Sequence, residues 1–128
     1  GFQKELFIYG KDWPTIDGTP IRDYIHVMDV AEAHIKVLKY LFNKGRINIK
    51  LNIGTGKGIS VLELINIFKR VSNRDISYIF SSRREGDTPF IVANNQKAKD
   101  ILNWTPIRGI EEMCRDGWNW KRTNPTGF

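Results

Sequence analysis

The residues best equipped for chemistry are a few separated cations and the groups beside them. Arg22 follows Asp17-Gly18-Thr19-Pro20, in which Asp and Gly suit a turn and Pro20 biases Thr19 towards an extended conformation. It precedes Tyr24-Ile25-His26-Val27, a run rich in strand formers, so the pattern predicts a strand over 24–27 with Arg22 where the loop enters it. A planar, permanently charged group held there suits bidentate capture of phosphate or carboxylate; a surface pairing with Asp23 is the plainer alternative. A second cluster, Arg83-Arg84-Glu85-Gly86-Asp87, joins two cations, a glycine that lets backbone approach a ligand, and an acid. It reads either as a solvated charge cluster or as a grip on phosphate and sugar hydroxyls. Together with Arg22 it offers two cations from different elements, which is what a diphosphate calls for.

Other groupings fit less demanding roles. Gly54-Thr55-Gly56-Lys57-Gly58 lies between a strand candidate and a helix, where a phosphate-binding turn would sit. A dinucleotide fingerprint would need a third glycine at position 59, which is Ile59, and an acid closing the next strand, whereas Asp75 precedes it. Lys57 lacks the spacing of a P-loop lysine, so the loop reads as a structural strand-to-helix turn. Tyr40 and Lys44 match Tyr-x-x-x-Lys, a spacing in which the lysine lowers the tyrosine's pKa, yet they straddle a helix end with no nicotinamide motif nearby. His26 and His34 have no carboxylate or cysteine at ligand spacing, which favours structural hydrogen bonds over a metal site. Cys114 falls on an apolar helix face as a core thiol, and Trp104, Trp118 and Trp120 read as packing residues.

The chain of 128 residues suits one domain, and its 41% hydrophobic and 27% charged residues are ordinary globular composition. The net charge of +6 brings nucleic acid into consideration, but the excess is spread along the sequence, so a small anionic ligand accounts for it equally well. A single cysteine excludes an internal disulfide and fits a reducing compartment. No apolar run approaches membrane-helix length and no signal-peptide core precedes residue 6, so the expected setting is cytoplasmic, with no membrane partner. The chain starts at Gly1 with a strand pattern already at 6–9, which suggests a fragment or processed product.

The elements that must position these groups alternate in type. Leu6–Tyr9 is a strand candidate, and 11–22 is a long irregular loop broken by Pro14, Gly18 and Pro20. Met28 to Asn43 has helical spacing at Val30, Ala33, Val37, Leu38 and Leu41, with Gly45 as a stop. Asn48–Ile53 is a second strand candidate, and Ser60 with Glu63 forms a capping box that starts a helix running to about Val71. Ile76–Phe80 is a third strand, Asn94 caps a short helix over 95–102, and a last helix follows Gly109. This alternation predicts an α/β or α+β fold.

Several stretches taken in order resemble the second half of the UDP-glucose/UDP-galactose 4-epimerase family, within the extended short-chain dehydrogenase/reductases. They include Asp12-Trp13-Pro14-Thr15, Asp17-Gly18-Thr19, Arg22-Asp23-Tyr24-Ile25-His26-Val27, Asn52-Ile53-Gly54-Thr55-Gly56, Arg83-Arg84-Glu85-Gly86-Asp87 and Trp118-Asn119-Trp120. The Arg-Asp-Tyr run is shared with nucleotide-sugar dehydratases and decarboxylases. The resemblance implies a mixed α/β substrate-binding portion over 1–128, with the Rossmann nucleotide domain largely absent.

It also implies roles. Arg22 and Arg84 would hold the diphosphate of UDP-glucose or UDP-galactose, Asp87 the ribose hydroxyls, and the backbone of Phe7 and Tyr9 the uracil edge. Ile91 stands where relatives often carry a tyrosine near the sugar, leaving space for an N-acetyl group. NAD, the catalytic Tyr-x-x-x-Lys and the hydride transfer at C4 belong to the N-terminal domain of the whole enzyme, expected to be a homodimer. This chain is then expected to hold no NAD, to have no catalytic residue and to be inactive alone, with an apolar helix face left without its cover. A freestanding UDP-sugar-binding module is the alternative, and nucleic acid is disfavoured.

Overall fold

Short apolar runs and two well-capped amphipathic helices generate the architecture seen in a computed structural model, which describes residues 4–45 and 47–127. The order is β1 (Leu6–Tyr9), β2 (Ile21–Arg22), α1 (Val27–Lys44), β3 (Ile59–Ser60), α2 (Val61–Ser72), β4 (Tyr78–Ser81), β5 (Phe90–Ile91), α3 (Gln96–Leu102) and α4 (Ile110–Thr123). β1 and β4 pair in parallel from Leu6 opposite Tyr78 to Tyr9 opposite Ser81. A parallel pair needs a long crossover, and the intervening chain with α1 and α2 supplies it. β2 lies between β3, antiparallel, and β5, parallel, so Arg22 faces Ile59 on one side and Ile91 on the other. The mixed α/β fold is as the alternation of patterns predicts.

Helix α1 starts because His26, in an extended conformation, accepts the Met28 N–H on Nδ1 at 3.1 Å. With Nδ1 accepting, Nε2 carries the proton and donates to Asp116 Oδ2 at 3.2 Å, tying α1 to α4. This is the structural hydrogen bonding expected of His26. Helix α2 starts where expected, with Ser60 Oγ accepting the Glu63 N–H at 3.0 Å, and it ends at Asn73 in the left-handed conformation. Helix α3 starts one residue later than expected, at Gln96 with Asn95 in the cap position, while Asn94 Oδ1 accepts the Gln96 N–H at 3.1 Å.

Two apolar clusters hold these elements. Ala33, Ala98, Leu102 and Trp104 are buried together, with Ile25, Val37, Tyr40 and Leu51 packed against them. The Trp104 indole N–H donates to the Asp29 carbonyl at 3.2 Å, so this large buried ring leaves no orphan donor. On the other side α2 packs on α4 through Phe68 and Trp118, edge to face at 6.2 Å, beside buried Cys114. Burial, then the neighbouring Glu111 charge, pushes the Cys114 thiol up, which disfavours its thiolate. The remaining tryptophan of the packing set, Trp120, is 44% exposed.

Three expectations change. The strand predicted over 24–27 is instead Ile21–Arg22, because the ladder partners lie beside 21–22 and Val27 begins the helix that His26 caps. Asn48–Ile53 forms no strand among the described residues: the chain there alternates between half-buried and exposed positions but has no neighbour to pair with. The third strand sits later than 76–80, at Tyr78–Ser81, in register with β1. In addition, Val27, Met28, Ile35, Leu38 and Phe42 form an exposed apolar stripe on α1, Phe42 being 86% accessible. No helix among the described residues is long and apolar enough to cross a membrane.

Candidate functional site

The site begins with the turn before β2. Asp17 accepts the Thr19 N–H at 2.9 Å and the Thr19 hydroxyl at 2.7 Å, and Ser60 donates to its other oxygen. Thr19 Oγ1 then accepts the Leu62 N–H at 3.2 Å, and the Pro20 carbonyl accepts the Val61 N–H at 3.1 Å. With Ser60 on Glu63, three donors at the start of α2 are spent on this loop, so that helix end is structural and not a free anion site.

Arg22 is fixed by the same framework. Its Nη1 donates to the carbonyls of Ile21 at 2.8 Å and Thr88 at 2.9 Å, and Nη2 lies 3.5 Å from Asp87 Oδ1. The predicted alternative, an Arg22–Asp23 pair, does not form. Arg84 donates from Nε to Asp87 Oδ2 at 3.1 Å, and its guanidinium stacks on the Tyr9 ring at 4.4 Å. The two arginines differ in freedom: Arg22 is 22% exposed and Arg84 61%. Gly86, with φ +81 and open space around it, lets the 83–89 loop turn tightly enough to bring Asp87 back to Arg84.

β1 forms the opposite wall. Leu6 and Gly10 donate to the carbonyls of Ser77 and Ser81, so the alternation of a parallel ladder directs the backbone groups of Phe7 and Tyr9 away from β4. The Tyr9 carbonyl takes the Trp13 indole N–H at 3.1 Å. Arg83 lies over Trp13 at 4.0 Å and pairs with Asp12 Oδ1 at 2.9 Å, so this arginine serves the loop and not the cleft.

Phe7, Tyr9, Arg22, Arg84 and Asp87 thus line one cleft of about 250 Å³, closed by Ile8, Pro20, Tyr24 and Val61. Ile91 lies beyond Arg22, in an adjoining cleft of about 540 Å³ lined by Arg22, Asp23, Leu51–Gly54 and Ile91–Asn94. Arg22 borders both.

Sequence reasoning took the glycine loop for a structural turn but missed that Asp23 holds it. Asp23 Oδ1 accepts the Thr55 N–H and hydroxyl, while Oδ2 accepts Gly56 N–H at 2.9 Å and Ala93 N–H at 3.2 Å. Burial pushes this carboxyl up, but the Thr55 hydroxyl and the three N–H donors outweigh it and hold Asp23 below the usual carboxylate range. No local spacing signals this, because the partners come from two distant segments. Tyr24, whose phenol is pushed up by burial, was also missed as a wall shared with a third cleft beside Arg108. Among the described residues no group of three His, Cys, Asp or Glu is arranged to hold a metal. Tyr40 packs against the Trp104 cluster, as expected if its spacing to Lys44 is coincidental.

Comparison with known proteins agrees with this geometry. The family model described as GDP-mannose 4,6 dehydratase matches residues 2–117. The chain is 44% identical over its whole length to the UDP-glucose 4-epimerase of Bacillus subtilis, covering 38% of that protein. It is 46% identical over 97% of its length to an Arabidopsis thaliana bifunctional UDP-glucose 4-epimerase and UDP-xylose 4-epimerase, covering 36% of it. Among solved structures, the UDP-glucose 4-epimerase of Stenotrophomonas maltophila, with bound NAD and formylated UDP-arabinopyranose, superposes with a TM-score of 0.91 at 42% identity. That match covers 96% of this chain and 36% of the other. The chain therefore spans little more than a third of the length of these relatives.

Proposed function

The chain belongs to the GDP-mannose 4,6 dehydratase family, and from its similarity to UDP-glucose 4-epimerases we propose that it is the UDP-sugar-holding, C-terminal part of such an enzyme. Residues 1–128 act as one binding unit for UDP-glucose and UDP-galactose. Arg22 and Arg84 hold the diphosphate, Asp87 meets the ribose hydroxyls, the backbone of Phe7 and Tyr9 reads the uracil edge, and Ile91 borders the sugar. The observation that carries this reading is the convergence of two arginines from separate elements on one carboxylate, beside an edge of β1 that pairs with no strand among the described residues.

NAD belongs to the rest of the enzyme on this reading. The glycine loop does not fit a dinucleotide: Thr55 and Gly56 N–H point at Asp23, and the Lys57 N–H at Thr55 Oγ1. Those donors would have to be free to cradle a pyrophosphate. The catalytic residues are supplied by the N-terminal nucleotide-binding domain, the whole enzyme works in the cytoplasm as a homodimer, and the isolated chain does not epimerise. Epimerase activity from this chain with added NAD would overturn that last point.

The test is calorimetric titration with UDP-glucose. Saturable binding that weakens about tenfold or more in both Arg22→Ala and Arg84→Ala is expected, as for loss of a charge-assisted phosphate contact. The family's description favours one second reading, a piece of a GDP-sugar dehydratase. Tighter binding of GDP-mannose than of UDP-glucose would select it.

A further inference from the structure

The larger cleft has a wall that is not built as a sheet. The chain over 51–56 and the chain over 92–95 face each other without a backbone ladder, and side chains join them instead. Asp23 reaches both, with two oxygens on Thr55 and Gly56 and on Ala93. Asn95 Nδ2 donates to the Gly54 carbonyl at 2.7 Å from a buried position. The gap is tight: a Cβ on Gly54 would meet Ala93 Cβ at 2.5 Å and Asp23 Oδ2 at 2.6 Å. Asp23 directly follows Arg22, and Ala93 lies two residues after Ile91, the register partner of Arg22.

We propose that Asp23 is a positioning residue that clasps the glycine loop to the chain after β5, holding the far wall at a fixed distance from Arg22 and Ile91 and thereby setting the affinity contributed by the sugar. This rests on the proposed function. Arg22 itself is anchored independently, on the Ile21 and Thr88 carbonyls, and Arg84 on Asp87 and Tyr9. Loosening the clasp therefore opens the sugar end and leaves the nucleotide end in place. An asparagine at position 23 keeps the shape but turns an N–H₂ towards backbone donors, so it loses either the Thr55 bonds or those of Gly56 and Ala93, and the second orientation releases the chain after β5.

The readout is the ratio of UDP-glucose to UDP affinity, measured by calorimetry on the full chain. Wild type binds UDP-glucose more tightly than UDP. Asp23→Asn loses that advantage by about tenfold while UDP affinity changes less than about threefold, the expected scale for one or two lost charge-assisted bonds. Thr55→Val, which removes the hydroxyl's bond to Asp23 together with its contacts to the Lys57 backbone but keeps the Thr55 N–H on Asp23, shifts the ratio in the same direction by a smaller factor and decides the matter if Asp23→Asn does not fold. Equal losses for UDP and UDP-glucose, an unchanged ratio, or a wild-type ratio near one overturns the role of Asp23 while leaving the proposed function standing. A wild-type chain that binds neither ligand overturns both.

Discussion

Arg22 and Asp87 meet on one wall of the cleft with Nη2 and Oδ1 3.5 Å apart, and the same carboxylate holds Arg84 Nε at 3.1 Å. Asp87 is thus the internal counter-ion of both cations. The Arg84 guanidinium is 61% exposed, and a pair open to solvent on that side contributes little to stability and exchanges readily for a better anion. Asp87→Ala should raise the affinity of inorganic pyrophosphate by about threefold to tenfold at low salt. UDP should gain less or weaken, because it loses the ribose contact. Calorimetry with both ligands at matched ionic strength checks this, and pyrophosphate binding no tighter than in wild type would contradict it.

Acid sensitivity follows from two carboxylates. Burial raises Asp23 and Asp17, but Thr55, Gly56 and Ala93 around the first, and Ser60 and Thr19 around the second, more than compensate and leave both lowered. Such groups stabilise the fold fully above their unfolded pKa, near about 3.9, and the contribution is lost as pH falls through the folded value. Urea unfolding should show stability dropping below about pH 4, with Asp23→Asn weaker at pH 7 and shallower in its acid limb. An acid limb of undiminished steepness in that variant would remove Asp23 from the account.

Two glycines should respond oppositely to alanine. Gly54→Ala places a methyl 2.5 Å from Ala93 Cβ, between segments that side chains already clamp, and should cost about 2 kcal/mol or more. Gly117 lies inside α4 with nothing within 4 Å of where an alanine methyl would stand, so Gly117→Ala should stabilise by about 0.5–1 kcal/mol. Denaturant midpoints of the two variants give the comparison directly.

The stripe of Val27, Met28, Ile35, Leu38 and Phe42 leaves a helix face of the isolated chain open to water. The chain should associate at high concentration, and Leu38→Glu with Phe42→Glu should restore a monomer. Sedimentation velocity over a range of concentrations measures this. A sharp, reversible monomeric melt of the wild type would argue against it.

Local signals sufficed where one segment decides its own conformation. The helix over 27–44 follows from apolar spacing and a glycine stop, and the start of α2 from Ser60 and Glu63, because hydrogen bonds and side-chain periodicity within a few residues determine both. Arg22 and the Arg83–Asp87 cluster were legible as cationic groups on separate elements from residue type alone, while the choice of Arg84 and Asp87 within the cluster came from the family resemblance. Tertiary structure decided the rest. Strand-forming residues at 24–27 and 48–53 gained no ladder, since a strand exists only where a neighbour pairs with it. The partner of Arg22 turned out to be Asp87, and Asp23 turned away to three backbone donors. Adjacency in sequence could not reveal that choice, because the competing donors converge on Asp23 only after two remote segments have folded against it.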